Sequence, residues 1–245
     1  MGPRTANTKL LAVLDAFSRE HPVLTLSELA CAVGVPLSTA HRLVAELTAW
    51  GGLEREDDGR YRVGLRLWEV GALAPRGLGL REAALPFMED LYEVTHENVQ
   101  LGVRDGAEVV FVERFAARGA VPVLTRVGGR FALPPTGVGL VLLAYAPAEI
   151  QEEVLAAPLH RHTRHTVVDP VRLRRVLAEV RRTGHAVSDR QVTEDAVSVA
   201  APVLRRAQVV AALSIVVRGD STAVVRPFTP GVMAAARGIS RVLSG

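Results

Sequence analysis

Three short amphipathic runs follow one another between residues 10 and 47, and a tight break separates the last two. Leu10, Val13, Leu14 and Phe17 fall at i, i+3, i+4 and i+7, one face of a helix, with Asn7 or Thr8 placed to cap it. Leu26, Leu29, Ala30 and Val33 repeat the spacing, with Ser27 as the expected capping residue. Gly34-Val35-Pro36 breaks the chain, and Ala40, Leu43, Val44 and Leu47 carry the spacing a third time, ending near Trp50-Gly51-Gly52. Three short helices with a glycine-containing turn before the third make a helix-turn-helix. Asp57-Asp58-Gly59 then separates Leu53-Glu54-Arg55-Glu56 from Arg60-Tyr61-Arg62-Val63, a hairpin signal. A hairpin directly behind a helix-turn-helix is a wing.

With Ala40, Leu43, Val44 and Leu47 turned inward, Ser38, His41, Arg42 and Ala45 share the outer face of the third helix. Arginine there can take a guanine through two hydrogen bonds, while serine and threonine reach bases or phosphates. On the wing, Arg60 and Arg62 share one face of a strand, where the period is two, and suit a phosphate backbone. This pattern reads as a double-stranded DNA-binding domain over residues 1–65. The competing reading is a protein-interaction or small-ligand-binding protein whose winged helix does not bind DNA.

Residues 66–80, with Gly71, Pro75, Gly77 and Gly79, read as a linker holding a short helix around Leu67-Trp68. The remaining 81–245 form the second domain. From Leu80, the residues Ala84, Phe87, Leu91 and Val94 predict a helix that Pro86 either kinks or starts. Two runs around Asp105-Gly106 predict a hairpin, followed by a strand over 121–126. Pro134-Pro135-Thr136-Gly137 opens a short apolar helix that ends at Ala146-Pro147. Asp169-Pro170 and Gly184 bracket a helix with Leu173, Val176, Leu177 and Val180 inward. Strands follow over 197–204 and 208–217, and Thr229-Pro230 caps a last helix. The fold class is therefore α+β in two domains, the second built on a mostly antiparallel sheet.

Charge does not announce a nucleic-acid partner. The net charge is +3, and residues 1–75 hold 8 basic against 9 acidic side chains. A module with so few cations binds weakly alone, so two copies reading two half-sites are expected. The longest nearly apolar run, 209–217, is far short of the roughly 20 residues of a membrane span, so no membrane partner is expected. The N-terminal stretch lacks the apolar core and small-residue site of an export signal, and Cys31 is the lone cysteine. Both fit a cytoplasmic protein. Cys31 itself reads most simply as a small buried hydrophobe.

Leu24-Thr25-Leu26-Ser27-Glu28-Leu29-Ala30, Gly34-Val35-Pro36-Leu37-Ser38-Thr39-Ala40-His41-Arg42-Leu43 and Gly59-Arg60-Tyr61-Arg62-Val63-Gly64 resemble the DNA-binding domain of IclR-type bacterial transcriptional regulators. Gly184-His185-Ala186-Val187-Ser188-Asp189 and Val199-Ala200-Ala201-Pro202-Val203 are similar to that family's effector-domain signature. The resemblance covers nearly the whole chain. It implies a winged helix-turn-helix, a linker helix and a GAF-like effector domain, assembled as a homodimer or homotetramer. It also implies that Thr25, Ser27, Leu37, Ser38, Thr39, His41, Arg42, Arg60 and Arg62 face DNA.

For a small-molecule effector, an organic acid being one candidate, the residues point to a helix start. Thr136 can cap that helix, and Gly137 and Gly139 leave backbone N–H groups unshielded, a setting that favours an anion. Position by position, the resemblance adds Leu133, Val138, Ser188, Asp189, Ser198 and Ala200 to Thr136, Gly137 and Gly139, with Ser214 as a further candidate. Leu140 stands where the family often carries lysine, and Asp195 adds an acid to the approach.

Other signals are weaker. His160, His162 and His165 cluster without cysteine or a clear carboxylate, and Arg161 and Arg164 interleave, so a solvated basic loop is expected and no metal. The Arg172, Arg174, Arg175, Arg181 and Arg182 face reads as a solvated helix surface paired with Glu179. No Gly-x-Ser-x-Gly, phosphate-loop or His-Glu-x-x-His motif is present, so neither catalysis nor a cofactor is expected.

Overall fold

The computed structural model describes residues 5–74 and 77–245. Pro75 of the expected linker, with residues 1–4 and 76, lies outside the described residues. The chain divides into two compact units, Met1–Leu78 and Gly79–Gly245.

The first unit runs α1 (Ala6–Asp15), β1 (Val23–Leu24), α2 (Leu26–Val33), α3 (Leu37–Trp50), β2 (Leu53–Arg55), β3 (Tyr61–Val63) and α4 (Leu65–Ala72). Its core joins Val13, Leu29, Val33, Leu43, Val44 and Leu47 to Leu53 and Tyr61 of the wing. Gly34 takes a left-handed φ of 72° at the end of α2, and Pro36 immediately precedes α3. The wing is held by close backbone approach: a Cβ on Gly64 would stand 2.2 Å from the Gly51 carbonyl oxygen. β1 adds a third strand beside β3, giving the order β1-β3-β2.

Caps depart from expectation by one or two residues. Thr5, not Asn7 or Thr8, caps α1, and Phe17 packs on the core from beyond the helix end. Thr25, not Ser27, caps α2. Its hydroxyl accepts the Glu28 N–H, and the Glu28 carboxylate accepts the Thr25 N–H at 2.7 Å and its hydroxyl at 2.8 Å. The Thr25 N–H, then its hydroxyl, hold the Glu28 carboxyl below its usual range. That contribution is present above the ordinary glutamate value and is lost as pH falls through the lowered one. Thr25→Ala is expected to cost about 1 kcal/mol, read as a lower melting temperature of the winged helix.

The second unit opens with α5 (Leu78–Thr95), which starts at the unit boundary and carries Pro86 in its interior rather than its first turn. It continues through β4 (Asn98–Asp105), β5 (Glu108–Phe115), β6 (Arg130–Ala132), α6 (Gly137–Ala144), α7 (Ala148–Ala156), α8 (Pro170–Thr183), β7 (Ala186–Asp189), β8 (Ala196–Arg205), β9 (Gln208–Arg218), a 3-10 turn (Thr222–Val225) and α9 (Thr229–Ser244). The six strands lie in the order β6-β5-β4-β9-β8-β7, every pair antiparallel.

The two-residue period splits this sheet into two faces. On β4, β8 and β9, odd positions such as Val99, Leu101, Val197, Val199, Leu213 and Ile215 pack with α5 and α9. Even positions such as Ala200 and Ala212 meet α6, with α8 beyond it. All eight residues of α6 are buried, which explains why it is apolar on every side.

Several local expectations are corrected. Residues 121–126 are loop: the carbonyls of Val121 and Thr125 accept hydrogen bonds from the Asn98 and Arg114 side chains instead of joining a ladder. β6 takes the sheet edge in their place. α7 and the short β7 carry too few buried residues to stand out by periodicity. Thr229 is the first helical residue of α9 rather than its cap, and its hydroxyl donates back to the Val225 carbonyl. Cys31 is exposed, not buried.

Candidate nucleic-acid interface and ligand cavity

On α3, Ala40, Leu43, Val44 and Leu47 are buried, which turns Ser38, His41, Arg42 and Ala45 outward. Thr39 is half-buried at the edge of this stripe, and Leu37 is exposed at the helix start. Arg42 projects from the same surface, and its guanidinium donates to Glu46 one turn on at 2.9 Å. Ser27 is exposed on α2, whereas the Thr25 hydroxyl is engaged inside its capping box.

The wing arginines are paired within the wing. Arg60 sits in the turn before β3, not on the strand with Arg62, and donates to Asp58 at 2.7 Å. Arg62 donates to Glu54 through Nε and Nη2 at 2.9 and 2.8 Å. These bonds hold both guanidinium groups above their ordinary value. The Arg60 N–H, then its side chain, lower the Asp58 carboxyl, and Arg62, then the Leu65 N–H, lower Glu54. An anion that takes either guanidinium must displace an internal carboxylate, an exchange between exposed charges that costs little.

In the second unit, register brings polar side chains together on the even face of the sheet. Asn98, Val216, Ser198 and Ser188 lie across from one another on four adjacent strands, and the next row is Gln100, Ser214, Ala200 and Ala186. Above them, the start of α6 comes down on the sheet. A Cβ on Gly137 would meet Ser198 Oγ at 2.7 Å, so a larger residue would push that hydroxyl aside. Together these elements enclose a cavity of about 50 Å³, walled further by Val123, Leu124 and Thr125 and by Val192, Thr193 and Ala196. No charged side chain lines it.

Two hydroxyl oxygens at this cavity, Ser214 Oγ and Thr193 Oγ1, are buried and have no hydrogen-bond partner among the described residues. Buried polar atoms of this kind are normally satisfied, by a protein group, an ordered water or a bound molecule. The Thr136 hydroxyl accepts the Gly139 N–H at 2.9 Å, so that amide is spent on the cap. The Ser188 hydroxyl donates to the Pro135 carbonyl at 2.7 Å and pins the loop before α6. Arg114 donates to the Thr125 carbonyl and to Asn98 Oδ1, and Gln100 donates to the Thr125 hydroxyl, which fixes the 123–125 wall.

Of the residues singled out from sequence, Thr136, Gly137, Val138, Ser188, Ser198 and Ser214 line the cavity. Leu133, Gly139 and Ala200 are buried but serve packing between α6 and its surroundings. Asp189 has the wrong strand parity and is engaged by its neighbour Arg190 at 2.8 Å. Asp195 pairs with Arg218 at 2.6 Å instead of standing in the cavity. Sequence reasoning misses Gln100, although a polar residue at an even position between Val99 and Leu101 is a readable signal. Thr125 and Thr193 come from loops and carry no such signal. Among the described residues no group of three or more histidine, cysteine, aspartate or glutamate side chains is placed to hold a metal ion. His165 turns toward Glu194 while His160 and His162 pack edge to face.

These features agree with relationships across the whole chain. Residues 8–57 match the IclR helix-turn-helix domain, and residues 74–241 match the bacterial transcriptional regulator IclR C-terminal domain. The HTH-type transcriptional regulator KipR of Bacillus subtilis is 32% identical over 205 residues, covering 83% of this chain and 82% of the relative. The glycerol operon regulatory protein of Streptomyces coelicolor is 30% identical, with 90% and 87% covered. The crystal structure of an IclR homolog from Microbacterium hydrocarbonoxydans, complexed with 4-hydroxybenzoate, is similar at a TM-score of 0.93 and 38% identity, covering 98% of this chain and 99% of that one. No described helix is long and apolar enough to cross a membrane. The chain belongs to the IclR family of helix-turn-helix transcriptional regulators, DNA-binding proteins with a ligand-binding C-terminal domain.

Proposed function

We propose that this regulator answers to a compact aromatic carboxylic acid of the hydroxybenzoate kind, bound in the cavity between the start of α6 and the even face of the sheet. The observation that carries this reading is the pair of buried, unpartnered hydroxyls, Ser214 Oγ and Thr193 Oγ1, in a cavity with no charged lining. Ser198, Ser214 and Thr193 bring hydroxyls to the lining beside Gly137 and Val138 of the first turn of α6, and a helix start favours negative charge. Val123, Leu124, Val138, Val192 and Val216 supply an apolar surround suited to a ring. The 4-hydroxybenzoate complex of the Microbacterium homolog supports the same class.

Operator recognition is assigned to Ser38, Thr39, His41 and Arg42 at bases and to Arg60 and Arg62 at phosphates, with Thr25, Ser27 and Leu37 flanking. Because residues 1–75 hold only 8 basic against 9 acidic side chains, one winged helix binds weakly, and a homodimer or homotetramer in the cytoplasm engages two half-sites. The ligand acts by binding one quaternary arrangement better than another, so it shifts operator affinity without catalysis.

Titration calorimetry with 4-hydroxybenzoate, read beside a melting curve, tests the pocket. Binding that raises the melting temperature is expected, because a ligand of the folded form stabilises it. Ser214→Val should weaken that binding by roughly tenfold or more. No binding by any benzoate, or equal binding by Ser214→Val, defeats the assignment.

A further inference from the structure

A second cavity, of about 200 Å³, adjoins the first at the loop before α6: Pro134 and Pro135 line it, whereas Thr136 and Gly137 line the other. Its remaining walls come from Ala107 in the β4–β5 turn, Ala132 of β6, the end of α7 and the loop that follows, including Pro158, Leu159, His160 and His162. Nothing in the regulatory reading above uses it.

The hollow is built by buried hydrogen bonds rather than left by loose loops. The Thr166 hydroxyl donates to the Gln191 carbonyl at 2.7 Å and accepts the Thr163 N–H at 2.9 Å. The Val167 N–H donates to Gln191 Oε1 at 3.0 Å, and the Thr163 hydroxyl donates to the Arg190 carbonyl at 2.6 Å. Across the cavity, the Pro135 carbonyl is fixed by Ser188. A pocket with walls held in this way exists before its ligand arrives.

Its chemistry differs from that of the first cavity. Beside alanine, valine and leucine side chains the lining holds three prolines and two imidazoles packed edge to face with centroids 4.6 Å apart, and His162 is also tilted against Phe131 behind it at 5.3 Å. Such surfaces favour an aromatic guest. Partial burial, and secondarily His160, push the His162 imidazole below its usual value, so it stands neutral with one donor and one acceptor nitrogen. Glu153 is the acidic group in the lining, and among lining residues no lysine or arginine balances it. A carboxylate guest is therefore repelled, and a hydrogen-bond donor is welcomed.

We infer that this second cavity is a small-molecule site for a neutral aromatic compound carrying one hydrogen-bond donor, of the phenol or indole type. The test is titration calorimetry of the full chain with phenol and with indole, and separately with 4-hydroxybenzoate. Ala157→Trp fills the mouth from an exposed position after α7, and His162→Ala removes the polar corner. Both variants should weaken phenol or indole by roughly tenfold or more and leave 4-hydroxybenzoate binding intact. Ser214→Val should do the reverse. Absence of phenol and indole binding overturns the proposal. So does binding that survives both Ala157→Trp and His162→Ala, or that is lost in Ser214→Val, since the guest then occupies the first cavity. Failure of 4-hydroxybenzoate alone counts against the first cavity's assignment and leaves the second standing.

Discussion

Gly139→Ala should lower the melting temperature of the C-terminal unit more than any surface change. A Cβ at this position would lie 1.9 Å from the Leu133 carbonyl oxygen and 2.6 Å from its carbonyl carbon. Both atoms are backbone, Leu133 is fully buried, and α6 is enclosed on all sides, so no flexible side chain can yield. The helix must move as a body and disturb its packing on β8, β9 and α8. Forced overpacking costs about 1–3 kcal/mol where side chains can adjust, and a backbone clash belongs at or above the upper end. For a domain of this size that corresponds to a fall of roughly 6–12 °C in the calorimetric transition.

Gly71→Ala supplies the contrast. Gly71 lies on α4, and a Cβ there would have nothing within 4 Å, so alanine meets open space. It gains helix propensity, about 0.5–1 kcal/mol. Melting should stay unchanged or rise slightly. If Gly139→Ala melts together with the parent protein, the close approach of α6 to Leu133 is not a feature of the native state.

Arg42→Ala should weaken operator binding by roughly 1–3 kcal/mol, about 5- to 150-fold, while random duplex is bound nearly as before. Arg42 is exposed on the outer stripe of α3, and it pairs with the equally exposed Glu46. Such an i,i+4 pair is worth only tenths of a kcal/mol, so Arg42 is easily drawn to a guanine edge. Glu46→Ala removes the competing carboxylate and should leave binding unchanged or tighten it. Equal losses on operator and random DNA with Arg42→Ala would make the residue a phosphate contact and move base readout to Ser38, Thr39 and His41.

Local spacing carried much of this protein. Asp169, Pro170 and Gly184 marked α8 to the residue, because a cap, a proline at the first turn and a left-handed glycine are each decided within a few bonds. The inner and outer faces of α3 followed from the helical period in the same way. Caps one or two residues away went astray where two hydroxyls competed, as at Thr25 and Ser27, since either could serve until the entry angle of the chain was set.

The cavity was legible in pieces. Thr136, Gly137, Ser188, Ser198 and Ser214 can be read from the sequence, and parity adds Gln100 and removes Asp189. Parity assigns a strand residue to one of two faces, but it does not say which strands are neighbours. β4 lies beside β9, and Gln100 opposite Ser214, through pairing across more than half the second unit, a choice made by global packing. The same holds for Thr125 and Thr193, which loops deliver to the cavity only after Asn98, Gln100 and Arg114 have tied one of those loops down. Short-range chemistry settled the helices, the turns and the outward face of α3. Long-range strand order and loop anchoring, to which local spacing is blind, settled where the unpartnered hydroxyls meet and therefore what the second unit can hold.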